Sequence, residues 1–320
     1  MFKRINNKNF GSYLTRLRTT HNHTKINLAK EAGVTDETIR RIESGQNTPS
    51  FSTLNNLSRV LKVDLVKVYT SMIDDNVLND FYTRLDGFII SNDVEKLTSI
   101  TEDFILYEKK VYNNDIDEIK EVRQFKTILQ GLELSLKAEN GSIEAYNLYF
   151  NAIKLSIPKF SVSSIEDFEY SYLELKCILL LALEENTLNN YEESNRLSLI
   201  LLKCIDKSNI FDYSEKLIYF RSKTLLNIAY NYHGLDDDRG AYEYADKGIK
   251  YCLDKHSLYL LHALFYRRAV ASYYLKIDEK QMMKDFSNSV AILDSYNMDS
   301  LKKTYIDATK EKYNIDLSID

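Results

Sequence analysis

The chain has 320 residues, 42 of them Lys or Arg against 47 Asp or Glu, with only nine Gly and two Pro. Turn residues are thus about a quarter of their usual share, too few for a β-sandwich, a barrel or a doubly wound α/β fold. What remains is an all-α protein long enough for two domains, and its 44% hydrophobic content suffices for a large core.

The head reads as five short helices. Phe10–Thr20 sets Phe10, Tyr13, Leu14 and Leu17 on one face at helical spacing. Thr24 is placed to cap a second helix, which buries Ile26, Leu28 and Ala29 and stops at Gly33. A third starts at Thr35, with Glu37 and Thr38 in its first turn and Ile39 and Ile42 inward. Gly45 ends it and Pro49 blocks continuation. A fourth, from Phe51 or Ser52 to Leu61, points Leu54, Leu57 and Leu61 inward. A fifth begins at Asp64 with Leu65 and Val68.

The turn between the second and third helices carries the information. In Leu28–Thr35 a Gly sits at the bend, Ala29 is small enough for a close crossing, and Val34 and Ile39 are placed to lock the angle. This is a helix-turn-helix arrangement, whose second helix enters the DNA major groove. Residues 10–69 resemble the phage-repressor/Cro type of that domain, through Leu28-Ala29, Ala32-Gly33-Val34-Thr35, Ile39, Ile42-Glu43-Ser44-Gly45, Pro49-Ser50, Leu54 and Leu57. The resemblance implies an internal pair between Glu43 and Arg18. It puts Thr35, Asp36, Glu37, Thr38 and Arg41 at groove-facing positions, and Lys25 and Asn47 at positions that touch phosphate. Lys25 stands where the family often has Gln, which favours a phosphate contact. Asp36 and Glu37 either accept from cytosine N4 or only stabilise the helix N-terminus, while Arg41 suits guanine O6 and N7.

Charge is divided unevenly. Residues 1–62 hold eleven basic and four acidic side chains, a net of +7, which leaves −12 on the remainder. A basic head on an acidic body suits a polyanion partner for the head alone.

From about Asp75 the chain alternates amphipathic helices with short polar breaks. Pairs are expected at 76–91 and 93–112, 116–138 and 142–156, 166–185 and 189–206, 213–234 and 239–253, and 257–275 and 279–295. A closing helix is expected at 299–313. Ala229, Tyr232, Ala245, Ile249 and Cys252 recur as Ala271, Tyr274, Phe286, Val290 and Leu293, an internal repeat of 41–42 residues. The 24 Tyr and 14 Phe suit long stacked seams. These repeats are similar to degenerate tetratricopeptide (TPR) repeats that lack the Trp and the terminal Pro. The expected fold is therefore all-α: an N-terminal helix-turn-helix domain at 1–69, a linker at 70–75, and a TPR-like right-handed helical solenoid at 76–320.

In such a solenoid the first helix of each pair lines the concave face. On 213–234, Leu217, Phe220, Leu225, Ile228 and Ala229 form the core stripe, and Lys223, Asn227 and Tyr230 or Asn231 fall on another face. Arg267, Arg268 and Ser272 lie on the equivalent helix of the next pair. Amide and guanidinium groups there suit the backbone and C-terminal carboxylate of an extended peptide; the plainer alternative is a solvated polar face. The whole chain resembles the peptide-responsive regulators of Gram-positive bacteria, the Rgg/PlcR/PrgX-type group of the RRNPP superfamily. That resemblance implies a cytoplasmic, homodimeric regulator that binds double-stranded DNA, and a TPR-like domain that takes a short signalling peptide. Residues 69–75 would transmit the change.

Other classes find little support. The longest apolar run, Cys177–Leu183, is far too short to cross a bilayer, and no apolar h-region follows Met1–Asn6. Cys177, Cys204 and Cys252 have no metal-ligand spacing and read as buried thiols. His21 and His23 lie in a loop without a supporting Cys or carboxylate cluster, so no metal or cofactor is expected. With no P-loop, GxGxxG or G-x-S-x-G string, an enzyme is not expected either. Two alternatives stay open: a DNA-binding regulator controlled by a protein partner on the repeats, and a repeat scaffold that binds no DNA.

Overall fold

The computed structural model describes residues 7–71, 76–91, 93–111, 116–138, 140–207 and 215–317. It divides into two compact units, Met1–Lys96 and Leu97–Asp320. Among the described residues there is no strand.

The first unit contains α1 (Asn7–Thr20), α2 (Lys25–Ala32), α3 (Asp36–Glu43), α4 (Phe51–Leu61), α5 (Leu65–Ser71) and α6 (Asn76–Ser91). Helix starts follow cap chemistry. Thr24, Thr35 and Ser50 each accept a hydrogen bond from the backbone N–H three residues on, at Asn27, Thr38 and Thr53. Gly33 ends α2 in the left-handed region at φ 67°, where a Cβ would be strained. Phe10, Leu14, Leu28, Ile39, Ile42 and Leu57 are buried together, and Phe10 meets Tyr69 edge-on at 4.7 Å. Ile26 departs from the expected core and is 67% exposed. The buried stripe of α2 is Leu28, Ala29 and Ala32, and Ile26 lies two residues, about 200°, away from Leu28. Pro49 is buried between α3 and α4.

The expected linker, 70–75, lies outside the described residues from 72 onward. Helix α6, which the sequence assigns to the repeats, falls in the first compact unit. It buries Leu78, Phe81, Tyr82, Leu85 and Phe88, an apolar stripe too wide for a solvated connector.

The second unit is built mainly from α7 (Val94–Val111), α8 (Ile116–Lys137), α9 (Ile143–Ser156), α10 (Tyr172–Thr187), α11 (Tyr191–Lys207), α12 (Glu215–Gly234), α13 (Asp238–Asp254), α14 (Leu261–Leu275), α15 (Glu279–Ser295) and α16 (Asp299–Tyr313). From α8 onward each helix packs on the next. The first helices of successive pairs also meet, α8 with α10, α10 with α12 and α12 with α14. That nearest-neighbour stacking defines a TPR-like solenoid. The small residues of the repeat pack inside: Ala229, its counterpart Ala271, and Ala245 are fully buried.

Two helix starts differ from expectation. The helix expected from 166 begins at Tyr172, where Ser171 and Glu174 form a capping box. The preceding segment is a 3-10 turn, Val162–Asp167, tied down by Tyr170, whose hydroxyl donates to the Ile165 carbonyl. The helix expected from 257 begins at Leu261, because Leu260 takes the left-handed conformation at φ 55°.

Candidate functional site

Helix α3 is preorganised and exposed. Thr35 Oγ1 accepts from the Thr38 N–H at 3.1 Å and lies 2.7 Å from Thr38 Oγ1, so both hydroxyls are engaged at the helix start. Asp36 is exposed in the first turn, where the helix dipole favours its charge. Glu37 does something sequence spacing alone did not distinguish. Its carboxylate accepts from Arg40 Nε and Nη2, both at 2.6 Å, and from Arg41 Nε at 2.8 Å. The two guanidinium groups hold its carboxyl down at about 2.

Behind α3, the internal pair is present. Arg18 Nε donates to Glu43 Oε1 at 2.6 Å and Nη2 to Oε2 at 3.2 Å, while Nη1 reaches the His23 carbonyl at 2.8 Å. Lys25 Nζ stands 3.4 Å from Glu43 Oε2 and stays partly exposed. The exposed Asn47 donates its backbone N–H to the Arg41 carbonyl, as does Gln46, so the chain after α3 wraps back onto that helix.

The expected ligand residues lie on α12 and α14 and fall into three groups. Asn227 and Asn231 are buried in a polar seam. Asn227 Nδ2 donates to Ser194 Oγ at 3.1 Å and Ser198 Oγ at 3.0 Å. Asn231 Nδ2 donates to Ser194 Oγ at 2.8 Å and Asn195 Oδ1 at 2.9 Å, and its own Oδ1 accepts from Asn186. These amides tie α12 to α10 and α11. Arg268 is also internal: Nε and Nη2 clasp the fully buried Asp285 at 2.7 and 2.8 Å, and Nη1 reaches Asp246. A guanidinium clamped by two carboxylates is not a free ligand anchor, which corrects the expectation that it faces a peptide. Ser272 is 2% exposed and packed in α14.

Lys223, Tyr230 and Arg267 form the third group. Arg267 is 8% exposed, its guanidinium carbon lies 3.5 Å from the centroid of the Tyr230 ring, and its Nε has no acceptor among the described residues. Tyr230 itself is 43% exposed. Lys223 is recessed rather than sealed, with part of the side chain still reaching water. Burial pulls its ammonium down to about 8, and no carboxylate among the described residues raises it.

Residues 14–68 match the Helix-turn-helix family. They are a helix-turn-helix domain. Structural neighbours share the fold over nearly the full chain. PlcR of Bacillus thuringiensis, solved with the peptide PapR7 and DNA, is 17% identical, covering 93% of this chain and 99% of that one at a TM-score of 0.67. ComR from S. thermophilus, solved with DNA and its signalling peptide ComS, is 13% identical, covering 96% and 100% at 0.58. The Streptococcus dysgalactiae SHP pheromone receptor Rgg2 is 16% identical, covering 95% and 99% at 0.55. A search of curated protein sequences finds no match.

The helix-turn-helix residues were legible because cap and crossing rules are local. Sequence reasoning missed Tyr266 and Tyr305, which lie near Arg267, and His262, which packs against Tyr305. Tyr266 and Tyr305 rings lie 4.3 Å apart, and Tyr305 comes from the closing helix α16. Burial drops His262 to about 4 and pushes the Tyr305 hydroxyl well above its ordinary range. Tyr266 is marked only by its place next to Arg267, and the other two follow no repeat. Among the described residues, no group of three His, Cys, Asp or Glu is placed to hold a metal, and no helix is long and apolar enough to cross a membrane.

Proposed function

We propose that this protein is a cytoplasmic, non-enzymatic transcription regulator that binds double-stranded DNA as a homodimer and is controlled by a short signalling peptide. The observation that carries the DNA half is the capped, exposed α3 with Arg40 and Arg41 on its surface, in a helix-turn-helix domain whose net charge is strongly positive. Thr35, Asp36, Thr38 and Arg41 face base edges, and Lys25 and Asn47 meet phosphate. A single such domain buries too little surface for tight specific binding, which is why a two-fold dimer is required.

Residues 1–69 serve DNA binding. Residues 76–320 serve peptide binding and dimerisation, with 70–75 joining the two. The peptide half is supported by a TPR-like array whose α12–α14 face keeps Lys223, Tyr230 and Arg267 outside its internal polar networks. It is supported too by structural neighbours solved with signalling peptides. A ligand that prefers one dimer geometry shifts the DNA-bound population by its differential affinity.

The test is a fluorescence-anisotropy titration of DNA from the protein's own promoter region, with and without short peptides encoded nearby. Salt-sensitive binding that changes with one peptide supports the reading. DNA binding indifferent to every peptide replaces the peptide with a protein partner, and no DNA binding leaves a scaffold.

A further inference from the structure

Basic groups on α12, α13 and α14 are mostly either paired or fully in water. Arg221 is paired with Asp206, Arg239 with Glu243, Lys250 with Asp246, and Arg268 with Asp246 and Asp285. Lys223 and Arg267 fit neither case. Arg267 is buried and Lys223 half-buried, and neither has a carboxylate partner among the described residues. Burying a cation without a counter-charge costs stability, so a fold that keeps two such groups on one face keeps them for something that arrives.

Their spacing is set by the helix. Lys223, Asn227 and Tyr230 follow at i, i+4 and i+7 on α12, so Lys223 and Tyr230 are about 10 Å apart along the axis. Arg267 is held against Tyr230 from α14, its planar guanidinium stacked on the ring. Stacking fixes its orientation while leaving hydrogen-bond donors around its edge. An extended chain covers about 10 Å with roughly three residues.

We infer that the ligand of this face is anionic and presents two carboxylates about three residues apart, one to Lys223 and one to Arg267. This rests on the reading of the α12–α14 face as the peptide site. Either carboxylate is an Asp or Glu side chain or the peptide's own C-terminus. The lowered ammonium of Lys223 agrees, since only burial acts on it and a bound carboxylate would reverse the shift.

The experiment uses the full chain and fluorescein-labelled heptapeptides on an Ala/Val/Tyr background. One series has an amidated C-terminus and two Asp separated by one to five positions, with Asn counterparts. A second replaces the last Asp with a free C-terminal carboxylate and so distinguishes the two sources. Asp peptides near a three-residue separation are expected to bind at least tenfold more tightly than their Asn isosteres. Lys223→Gln and Arg267→Gln should each remove most of that preference. Lys223→Glu should reverse it at one position, favouring a Lys-bearing peptide; this variant serves even where Arg267→Gln melts early. Equal binding of Asp and Asn peptides overturns the charge assignment while leaving the peptide site in place. Binding of no peptide, whatever its charge, removes the site and this inference with it.

Discussion

Glu37 and Arg41 are joined on the exposed face of α3, Arg41 Nε donating to Glu37 Oε1 at 2.8 Å while Arg40 clasps the same carboxylate twice. On the proposed reading, in which Arg41 contacts guanine, the acid competes with DNA for that arginine. Glu37→Gln should raise affinity for random-sequence DNA several-fold, steepen its salt dependence and narrow the gap to the specific site. Arg41→Ala should instead cost specific binding about 1–3 kcal/mol with the helicity unchanged. Competition titrations at two salt concentrations measure both; unchanged specific affinity for Arg41→Ala would remove it from the interface. Because the carboxyl sits near 2, acidifying from pH 8 to 5 leaves Glu37 ionised and does not release Arg41.

Adjacent arginines on α14 should behave oppositely. Arg268→Met strips the counter-charge from Asp285, which is fully buried and, among the described residues, keeps Gln281 as a donor at 2.7 Å. A loss of about 3–5 kcal/mol is expected in urea unfolding of the full chain. Arg267→Gln, with no ion pair among the described residues to break, should stay within about 1 kcal/mol of the native chain. Comparable losses for both variants would refute the division of this arginine pair into clamp and anchor.

Two pH dependences run in opposite directions. His262 lies near 4 in the fold against about 6.5 unfolded, so the fold prefers the neutral ring. Its contribution is complete above the unfolded value and is lost as pH falls from about 6.5 toward 4. The expected cost is on the order of 2–3 kcal/mol, absent in a His262→Gln variant followed by thermal melts at each pH. Lys223 is charged below about 8. Affinity for an acidic peptide should therefore be level below pH 8 and fall above it, by up to about tenfold per unit. Isothermal titration between pH 7 and 9.5 gives the slope; a flat profile would mean that Lys223 does not touch the ligand.

A pair of glycines tests the packing of the first unit. A Cβ on Gly11 would lie 2.6 Å from the Ile42 carbonyl oxygen and still closer to that of Glu43, so Gly11→Ala must force α1 away from α3. The same change at Gly87, where no described atom beyond its own helix backbone lies within 4 Å of the added carbon, should stabilise α6 by roughly 0.5–1 kcal/mol. Denaturant midpoints of the two variants should move in opposite directions.

The division between what could be read from the chain and what could not follows the range of the forces involved. Thr24, Thr35, Gly33 and Gly45 announced the helix-turn-helix because a cap acts across three residues and a left-handed turn within one. The alternation of apolar stripes and breaks placed the repeats to within a few residues. It failed at Tyr172 and Leu261, where a capping box at Ser171 and a left-handed residue at Leu260 override the pattern. Within the proposed ligand face, Lys223, Arg267 and Arg268 were equivalent as letters: cations at helical spacing on an amphipathic stretch. Their surroundings differ because Asp246 and Asp285 come from α13 and α15 to meet Arg268, whereas no acid among the described residues reaches Lys223 or Arg267. Whether a charge is paired depends on residues brought together by helix packing, and no local periodicity encodes that meeting.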